Sequence, residues 1–325
     1  MANDYRIGID WGGTRIKLAA VTRDGEFLAQ AMETALRGNA IGETVGAVIS
    51  AAEALIERVG GKPRGIGLAL TGPVDPEFGV VYLPGKVAGL EQYPIVPQFR
   101  EHFGVPVTAD NDGTMALLAE RACGHAREVD WATVLTIGTG VGSGVLVAGQ
   151  VLRDPHFMFG TQAGHLVIRN GDEPLCLTGA RGTAEMHCSA TALMLAVRSG
   201  LQRGIPSALT ALYDAEPGSV DFRAVIEEGV ANGDHLCCDE LRRWSTQLGW
   251  LIVNVIHAYS SQVVILTGGA TLGAAHFLPQ VQSHVDAHVF RYPPDKPVPI
   301  KVSAIQEHAG TLGAAMASFE RHPSY

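Results

Sequence analysis

Charge is scarce in this chain: Asp, Glu, Lys and Arg together make up 18% of its 325 residues, and aromatic residues only 6%. Basic clusters are absent beyond the Arg242-Arg243 pair, and the net charge is −9. A surface that tracks nucleic-acid phosphates needs clustered Lys and Arg, so no nucleic-acid partner is expected. The five cysteines (Cys123, Cys176, Cys188, Cys237 and Cys238) are odd in number and scattered, unlike a secreted disulfide framework, and point to a reducing, cytoplasmic setting. A basic region followed by an apolar stretch is missing at the amino terminus, where Met1–Arg6 runs into Ile7-Gly8-Ile9, so no signal peptide is expected. The longest uncharged stretch, Trp131–Leu152, contains five glycines and alternates with period two. It reads as two strands around a glycine turn, not as a membrane span, and no membrane partner is expected. With 46% hydrophobic residues and no low-complexity linker, the chain is too apolar for a disordered protein and long enough for two domains.

Glycine is abundant, 39 residues or about 12% against an average near 7%, without the period of collagen. The amino-terminal region reads as a three-stranded meander, Arg6–Asp10, Ile16–Thr22 and Phe27–Thr34, with Asp24-Gly25 at a bend. A helix over Gly42–Val59 and a buried strand at Ile66–Leu70 follow. The segment 107–112 leads from a strand into a helix over Gly113–Cys123, so Asn111 and Asp112 stand at a strand-to-helix junction, where α/β sheets bind ligands. The pattern of apolar strand, glycine-threonine turn and apolar strand in residues 7–19 returns in residues 135–148, implying two similar halves with a cleft between them. The expected domains are residues 1–119 with 306–325, and residues 120–305. Beyond Ser189 the pattern is helical over Ser189–Arg198, Phe222–Asn232, His235–Tyr259 and Gly310–Arg321, with a buried strand at Val263–Thr267. Trp244, Leu248 and Trp250 read as core or subunit contacts.

Three glycine turns carry the first chemistry. In Asp10-Trp11-Gly12-Gly13-Thr14, adjacent glycines let backbone amides approach an anion and Thr14 adds a hydroxyl. Lys17 supplies a point charge toward a phosphate, and Asp10 is placed to orient a hydrated Mg²⁺. A tight hairpin is the alternative reading. Gly138-Thr139-Gly140-Val141-Gly142 lacks the context of a dinucleotide fingerprint, and Thr267-Gly268-Gly269-Ala270 offers bare backbone to a nucleoside. Asn111-Asp112 is either a helix N-cap alone or a catalytic pair in which the carboxylate takes a proton from an attacking hydroxyl.

Together with Gly164-His165 and the spacing Cys176, Gly179, Gly182, Glu185, these motifs resemble those of the ROK family over nearly the whole chain. The resemblance implies an α/β, actin-like ATPase (ribonuclease H-like) duplicated fold of two domains around a central cleft. It implies ATP-dependent, Mg²⁺-dependent phosphorylation of a hexose or similar polyol, with Asp112 as general base. By the same resemblance Asp10, Gly12, Gly13, Thr14, Lys17, Gly138, Thr139, Gly140, Gly268 and Gly269 line the nucleotide site. Gly72, Asn111, Asp112, Gln162, His165 and Glu185 contact the sugar, and the expected assembly is a homodimer or homotetramer.

Three departures from the family pattern stand out. Gln162 replaces the glutamate of Glu-x-Gly-His, and Pro84-Gly85 stands where Pro-Asn is usual, so the sugar's hydroxyls are read differently. The zinc motif Cys-x-Cys-Gly-x-x-Gly-Cys-x-Glu becomes Cys176-Leu-Thr178-Gly-Ala-Arg-Gly-Thr183-Ala-Glu185. Two of three thiolates are lost, so no structural zinc is expected from His165 and Cys176, and rescue by His187 and Cys188 is disfavoured because helical neighbours diverge. His165 is then a sugar contact or an ordinary loop histidine. Alternatives to a hexokinase are a kinase for a ketose, amino sugar or cyclitol, a sugar-responsive repressor, and a non-catalytic sugar binder. A repressor's helix-turn-helix would precede the first glycine motif, whereas nine residues precede Asp10.

Overall fold

The computed structural model describes all residues except 1–3, 13–14, 35–40, 76–78, 82–88, 92, 154–160, 172, 292, 294 and 323–325. The chain divides into two compact units: Met1–Asp130 with Gly144–Thr161 and Ser303–Tyr325, and Trp131–Ser143 with Gln162–Val302. A boundary near residue 120 would cut a helix whose residues Gly113–Glu120 are all buried, and the chain instead leaves the first unit after Asp130. Residues 144–161 then return to the first unit, a detour that the expected boundaries lack.

In the first unit, β1 (Tyr5–Trp11), β2 (Arg15–Thr22) and β3 (Phe27–Thr34) form the meander, with Gly25 N donating to Thr22 O at 3.0 Å in its second bend. Helix α1 (Ile41–Val59) buries Val45, Val48, Ala52 and Leu55 at helical spacing and leads to β4 (Ile66–Leu70). A short hairpin of β5 (Val74–Asp75) and β6 (Val80–Val81) precedes α2 (Ile95–Phe103). This helix was not anticipated; its signals are the buried Ile95/Phe99 pair four residues apart and Gly104, which ends it in the left-handed region at φ 60°. Then come β7 (Val107–Asn111) and α3 (Asp112–Cys123).

The chain continues through β8 (Ala132–Ile137), β9 (Val141–Val147) and β10 (Gln150–Val151). Helices α4 (Ala184–Cys188), α5 (Ala190–Gln202), α6 (Thr210–Ala215), α7 (Phe222–Ala224) and α8 (His235–Tyr259) follow. The helix expected over residues 222–232 is instead a short α-turn running into a π-turn and a 3₁₀ turn, where Gly229 lies hard against Cys237. The chain ends through β11 (Val263–Thr267), α9 (Ala274–His288), β12 (Ile300–Val302) and α10 (Ala309–Arg321).

Both sheets have five strands, in the orders β3-β2-β1-β4-β7 and β10-β9-β8-β11-β12. Each is an antiparallel meander whose first strand continues into two parallel strands, so the glycine hairpins β1–β2 and β8–β9 occupy equivalent positions. The duplication read from residues 7–19 and 135–148 is therefore a duplication of topology. In the first sheet, β1/β4 and β4/β7 registers align Asp10, Ala69 and Asp110 in one row, and Trp11, Leu70 and Asn111 in the next. One face of that sheet carries Ile7, Ile9, Leu68 and Leu70 into a core with α1 and α2. The other face is nearly bare: Gly8 and Gly67 have no room for a Cβ because the backbone of α10, at Thr311 and Ala314, lies directly on them. Gly313 is pressed in the same way on the Met115 backbone of α3.

The second unit packs α8 against α5, α9 and the parallel strands. Trp244 and Leu248 are core, and Trp244 Nε1 donates to Ser189 O at 2.9 Å. Trp250 stands at the surface against the rings of His284 and His288, each 4.6 Å away. Among the described residues, no helix is long and apolar enough to cross a membrane.

A branched side chain at Gly67 must push α10 off the sheet, so Gly67→Val should destabilise the protein by about 3 kcal/mol in urea unfolding. Gly46 lies in α1 with open space around it. Gly46→Ala should be neutral or stabilising by up to about 1 kcal/mol in the same measurement.

Candidate functional site

In the first unit, the site begins where β7 gives way to α3. Asn111 is extended (φ −64°, ψ 144°) and caps the helix, its Oδ1 accepting from Gly113 N at 2.9 Å. Its Nδ2 donates to Gly72 O at 2.8 Å. Gly72 sits beyond the neighbouring strand β4 at φ +98°, a conformation that turns its carbonyl toward Asn111 at no Cβ cost. Asp112, half-buried in the first turn of α3, also accepts from Gly113 N at 2.9 Å. The N-terminal end of a helix dipole favours a carboxylate there. Gly72, Asn111 and Asp112, three of the expected sugar-side residues, are thus brought together by one hydrogen-bonded junction.

Asp10, next to last in β1, lies in the same row as Asp110, two strands or roughly 10 Å away. It lies against the first turn of α10, where a Cβ on Gly310 would crowd its carboxylate. The amide of Gly12 donates to Arg15 O at 3.1 Å and so belongs to the hairpin itself. Gly13, Thr14, Pro84 and Gly85 lie outside the described residues. Lys17 Nζ is engaged by Glu307, donating to its carbonyl at 2.9 Å and to its carboxylate at 3.3 Å. That hydrogen bond and the ammonium charge hold the Glu307 carboxyl below its ordinary range.

Sequence reasoning missed what stands behind this junction. Asp110 is 5% exposed, yet its carboxylate meets two arginines. Its Oδ1 accepts from Asn111 N at 2.7 Å, and its Oδ2 takes Arg321 from the end of α10 at 3.1 Å and Arg153 from just beyond β10. Burial, with the nearby charge of Arg321, pulls Arg153 down to about 10, and burial lowers Arg321 as well. The only sequence signal was an acidic residue beside Asn111-Asp112.

In the second unit, three expected features meet at the start of β9. Glu185 Oε2 accepts from Val141 N at 3.1 Å and fills the space where a Cβ of Gly140 would stand. The 3₁₀ turn Ala163-Gly164-His165 lies on the same strand, with Gly164 against Val141 O and Ala163 N donating to Ser143 Oγ at 3.0 Å. Gln162 O accepts from His165 N at 3.0 Å, and His165 Nδ1 is buried without a hydrogen bond among the described residues. Gly138 N donates to Gly140 O at 3.0 Å, so this amide too shapes its own turn, while Thr139 is exposed at the tip. Gly268 adopts φ +92° against the Ile137 backbone, and beside it Gly269 is exposed with open space around it.

The loop that carries the altered zinc motif is closed by hydrogen bonds. Cys176 N donates to Ala180 O at 2.9 Å, Gly179 N to Cys176 O at 3.0 Å, and Cys176 Sγ lies 2.9 Å from Thr178 Oγ1. Burial pushes the Cys176 thiol up, but hydrogen bonds led by Thr178 outweigh it and hold the thiol below its ordinary range. His187 turns toward Glu173, 3.5 Å away, and Cys188 is fully buried with its thiol pushed far up by desolvation. The two neighbours diverge as helical geometry requires.

The sequence matches the ROK family over residues 6–320. The chain belongs to the ROK family. The glucokinase of Thermotoga maritima is 29% identical over 324 residues, covering 97% of each chain. The ROK family glucokinase of Streptomyces griseus, solved with glucose and AMPPNP, superposes with a TM-score of 0.81 at 22% identity, over 96% of this chain and 98% of that one. A ROK family transcriptional regulator, a homolog of the E. coli MLC protein, gives a TM-score of 0.83 at 21% identity, over 96% of this chain and 77% of that one. The fold is therefore the actin-like, ribonuclease H-like fold of ROK proteins, in agreement with the repeated sheet order.

Asn111 unites the helix cap with the tie to Gly72, and two variants separate these duties. Asn111→Ala should cost about 1–2 kcal/mol in chemical unfolding through loss of the cap. Asn111→Asp, which still accepts from Gly113 N, should retain most of that stability.

Proposed function

We propose that this ROK protein transfers the γ-phosphoryl group of ATP to a hydroxyl of a hexose or related sugar, with Asp112 as general base. The observation that carries the reading is the Asn111–Asp112 junction. A half-buried carboxylate at a helix N-terminus stands beside an amide whose own hydrogen bonds, to Gly72 O and Gly113 N, fix its orientation. The glucokinases among its relatives supply the reaction class.

In this reaction the sugar hydroxyl attacks the γ-phosphorus, the bond to the β–γ bridging oxygen breaks, and the hydroxyl proton passes to the Asp112 carboxylate. The transition state is largely dissociative, so positioning and charge neutralisation dominate over covalent chemistry by the protein. On the sugar side, Asn111 orients the acceptor beside Asp112, and Gln162, His165 and Glu185 are proposed as polar sugar contacts. Gln162 both donates and accepts where a carboxylate only accepts, so a ketose, amino sugar or cyclitol stands as the alternative acceptor to a hexose. The buried Nδ1 of His165 supports a polar role for that ring.

On the nucleotide side, two glycine hairpins and Gly268-Gly269 fit a polyphosphate and a nucleoside. Because the Gly12 and Gly138 amides serve their own turns, Thr139 at the exposed tip is the better phosphate donor. Lys17 reaches a phosphate only by leaving Glu307. Asp10 offers hard oxygen ligands at the end of β1 and fits a hydrated Mg²⁺, which when bound neutralises charge on the phosphates. The likeness to a transcriptional regulator is one of fold. The complete Asn111–Asp112 junction favours catalysis over sugar sensing alone.

Purified protein incubated with MgATP and a panel of hexoses, N-acetylhexosamines, ketoses and cyclitols should release ADP with at least one of them. On that substrate Asp112→Asn should lower kcat by on the order of 1,000-fold while nucleotide affinity, read by calorimetry, stays within about twofold. Retained turnover in this variant would remove Asp112 from the role.

A further inference from the structure

We infer that Asp110, clamped between Arg153 and Arg321, is a positioning residue that sets the Asn111–Asp112 junction from behind. The inference rests on the reading of that junction as the catalytic one and adds to it a residue that touches no substrate.

Adjacent strand residues point to opposite faces, so Asp110 and Asn111 project on opposite sides of β7. Asn111 reaches Gly72, whereas Asp110 lies on the face covered by α10, in the row of Asp10 and Ala69. The Asp110 carboxylate performs two tasks with its two oxygens. Oδ1 accepts the Asn111 amide at 2.7 Å and so fixes the peptide that leads into Asp112. Oδ2 receives both guanidinium groups, Arg321 at 3.1 Å and Arg153.

The balance of charge explains why the arrangement is more than packing. One buried carboxylate faces two cations, so it is held from both sides and cannot rotate without breaking both ion pairs. Arg321 is the last residue of α10 and Arg153 stands two residues past the end of β10. The clamp therefore ties the end of the C-terminal helix and the end of a returning strand to the same peptide. With Asn111 amide, Oδ1 and Nδ2 all engaged, the residue next to the proposed base has no freedom left. Preorganisation of this kind raises kcat, since small misplacements of a base are felt steeply in the transition state.

The test is a charge-balance cycle. Asp110→Asn keeps the size and the Oδ1 acceptor but removes the carboxylate charge that both guanidiniums share. Measured per correctly folded site, its kcat for the sugar should fall by on the order of 100-fold with the KM for MgATP unchanged within about twofold. The double variant Asp110→Asn/Arg153→Gln removes the surplus cation and should regain about tenfold of that loss. In parallel, amide hydrogen exchange at Asn111 and Gly113 should be at least about tenfold faster in Asp110→Asn. A kcat within about threefold of wild type, or a loss of activity that only follows the folded fraction, overturns the inference. If Asp110→Asn does not fold, Arg321→Gln, which keeps the Arg153–Asp110 pair but frees one side of the carboxylate, should show a smaller kcat-selective loss of about tenfold and faster exchange, and a kcat within about threefold of wild type overturns the inference. If the wild-type chain phosphorylates no sugar, the functional reading fails by itself. The exchange measurement then still decides the clamp, and unchanged protection at Asn111 rejects it.

Discussion

The contact on which the first unit depends is backbone on backbone: α10 lies on the sheet with no side chain between them at Gly8 and Gly67, and on α3 at Gly313. Such closeness fixes the helix in translation as well as in angle, because interiors are close-packed and a displacement by one methylene is felt. The rest of α10 follows. Its start is brought to Asp10, with Gly310 too close for a Cβ, and its far end reaches Gly65 through Ser318. Phe319 lies under the buried guanidinium of Arg6, 4.6 Å away, and Arg6 donates to His322 O at 3.1 Å. A helix seated less closely would leave Arg321 short of Asp110. The glycines of this face are therefore structural.

Much of this was legible in the sequence because the deciding information is local. Strands β4 and β11 are apolar runs and helix α8 has sustained helical spacing, and they appear at the expected residues. The repeat of glycine-threonine hairpins was enough to expect duplication, since each hairpin opens a meander in the same sheet order. Helix α2 was missed because its nine residues carry Pro97 and a weak stripe of three buried side chains.

Long-range partners were not legible. Asp110 and Arg321 are 211 positions apart, and nothing in either local pattern refers to the other. A buried acid next to an Asn-Asp pair reads as a strand end until the fold supplies its cations. The same holds for the return of residues 144–161 to the first unit, which no composition shift announces. The Lys17–Glu307 pair is a further case: proximity in sequence to the glycine motif suggested a phosphate, and the fold offers a carboxylate first.

Hydrogen-bond accounting also changes how the glycine turns work. Glycine-rich loops are usually credited with presenting amides to an anion, yet here the Gly138 amide bonds to Gly140 O and the Val141 amide to Glu185. A turn whose inner amides are already satisfied keeps its shape without a ligand, so less ordering is required when one binds. Glu185 is then doubly constrained, since the missing Cβ of Gly140 is what admits its carboxylate to Val141 N. One carboxylate oxygen is committed to the strand and the other remains directed by it. A rigid acceptor of this kind distinguishes a hydroxyl by its direction more sharply than a larger number of mobile polar contacts does.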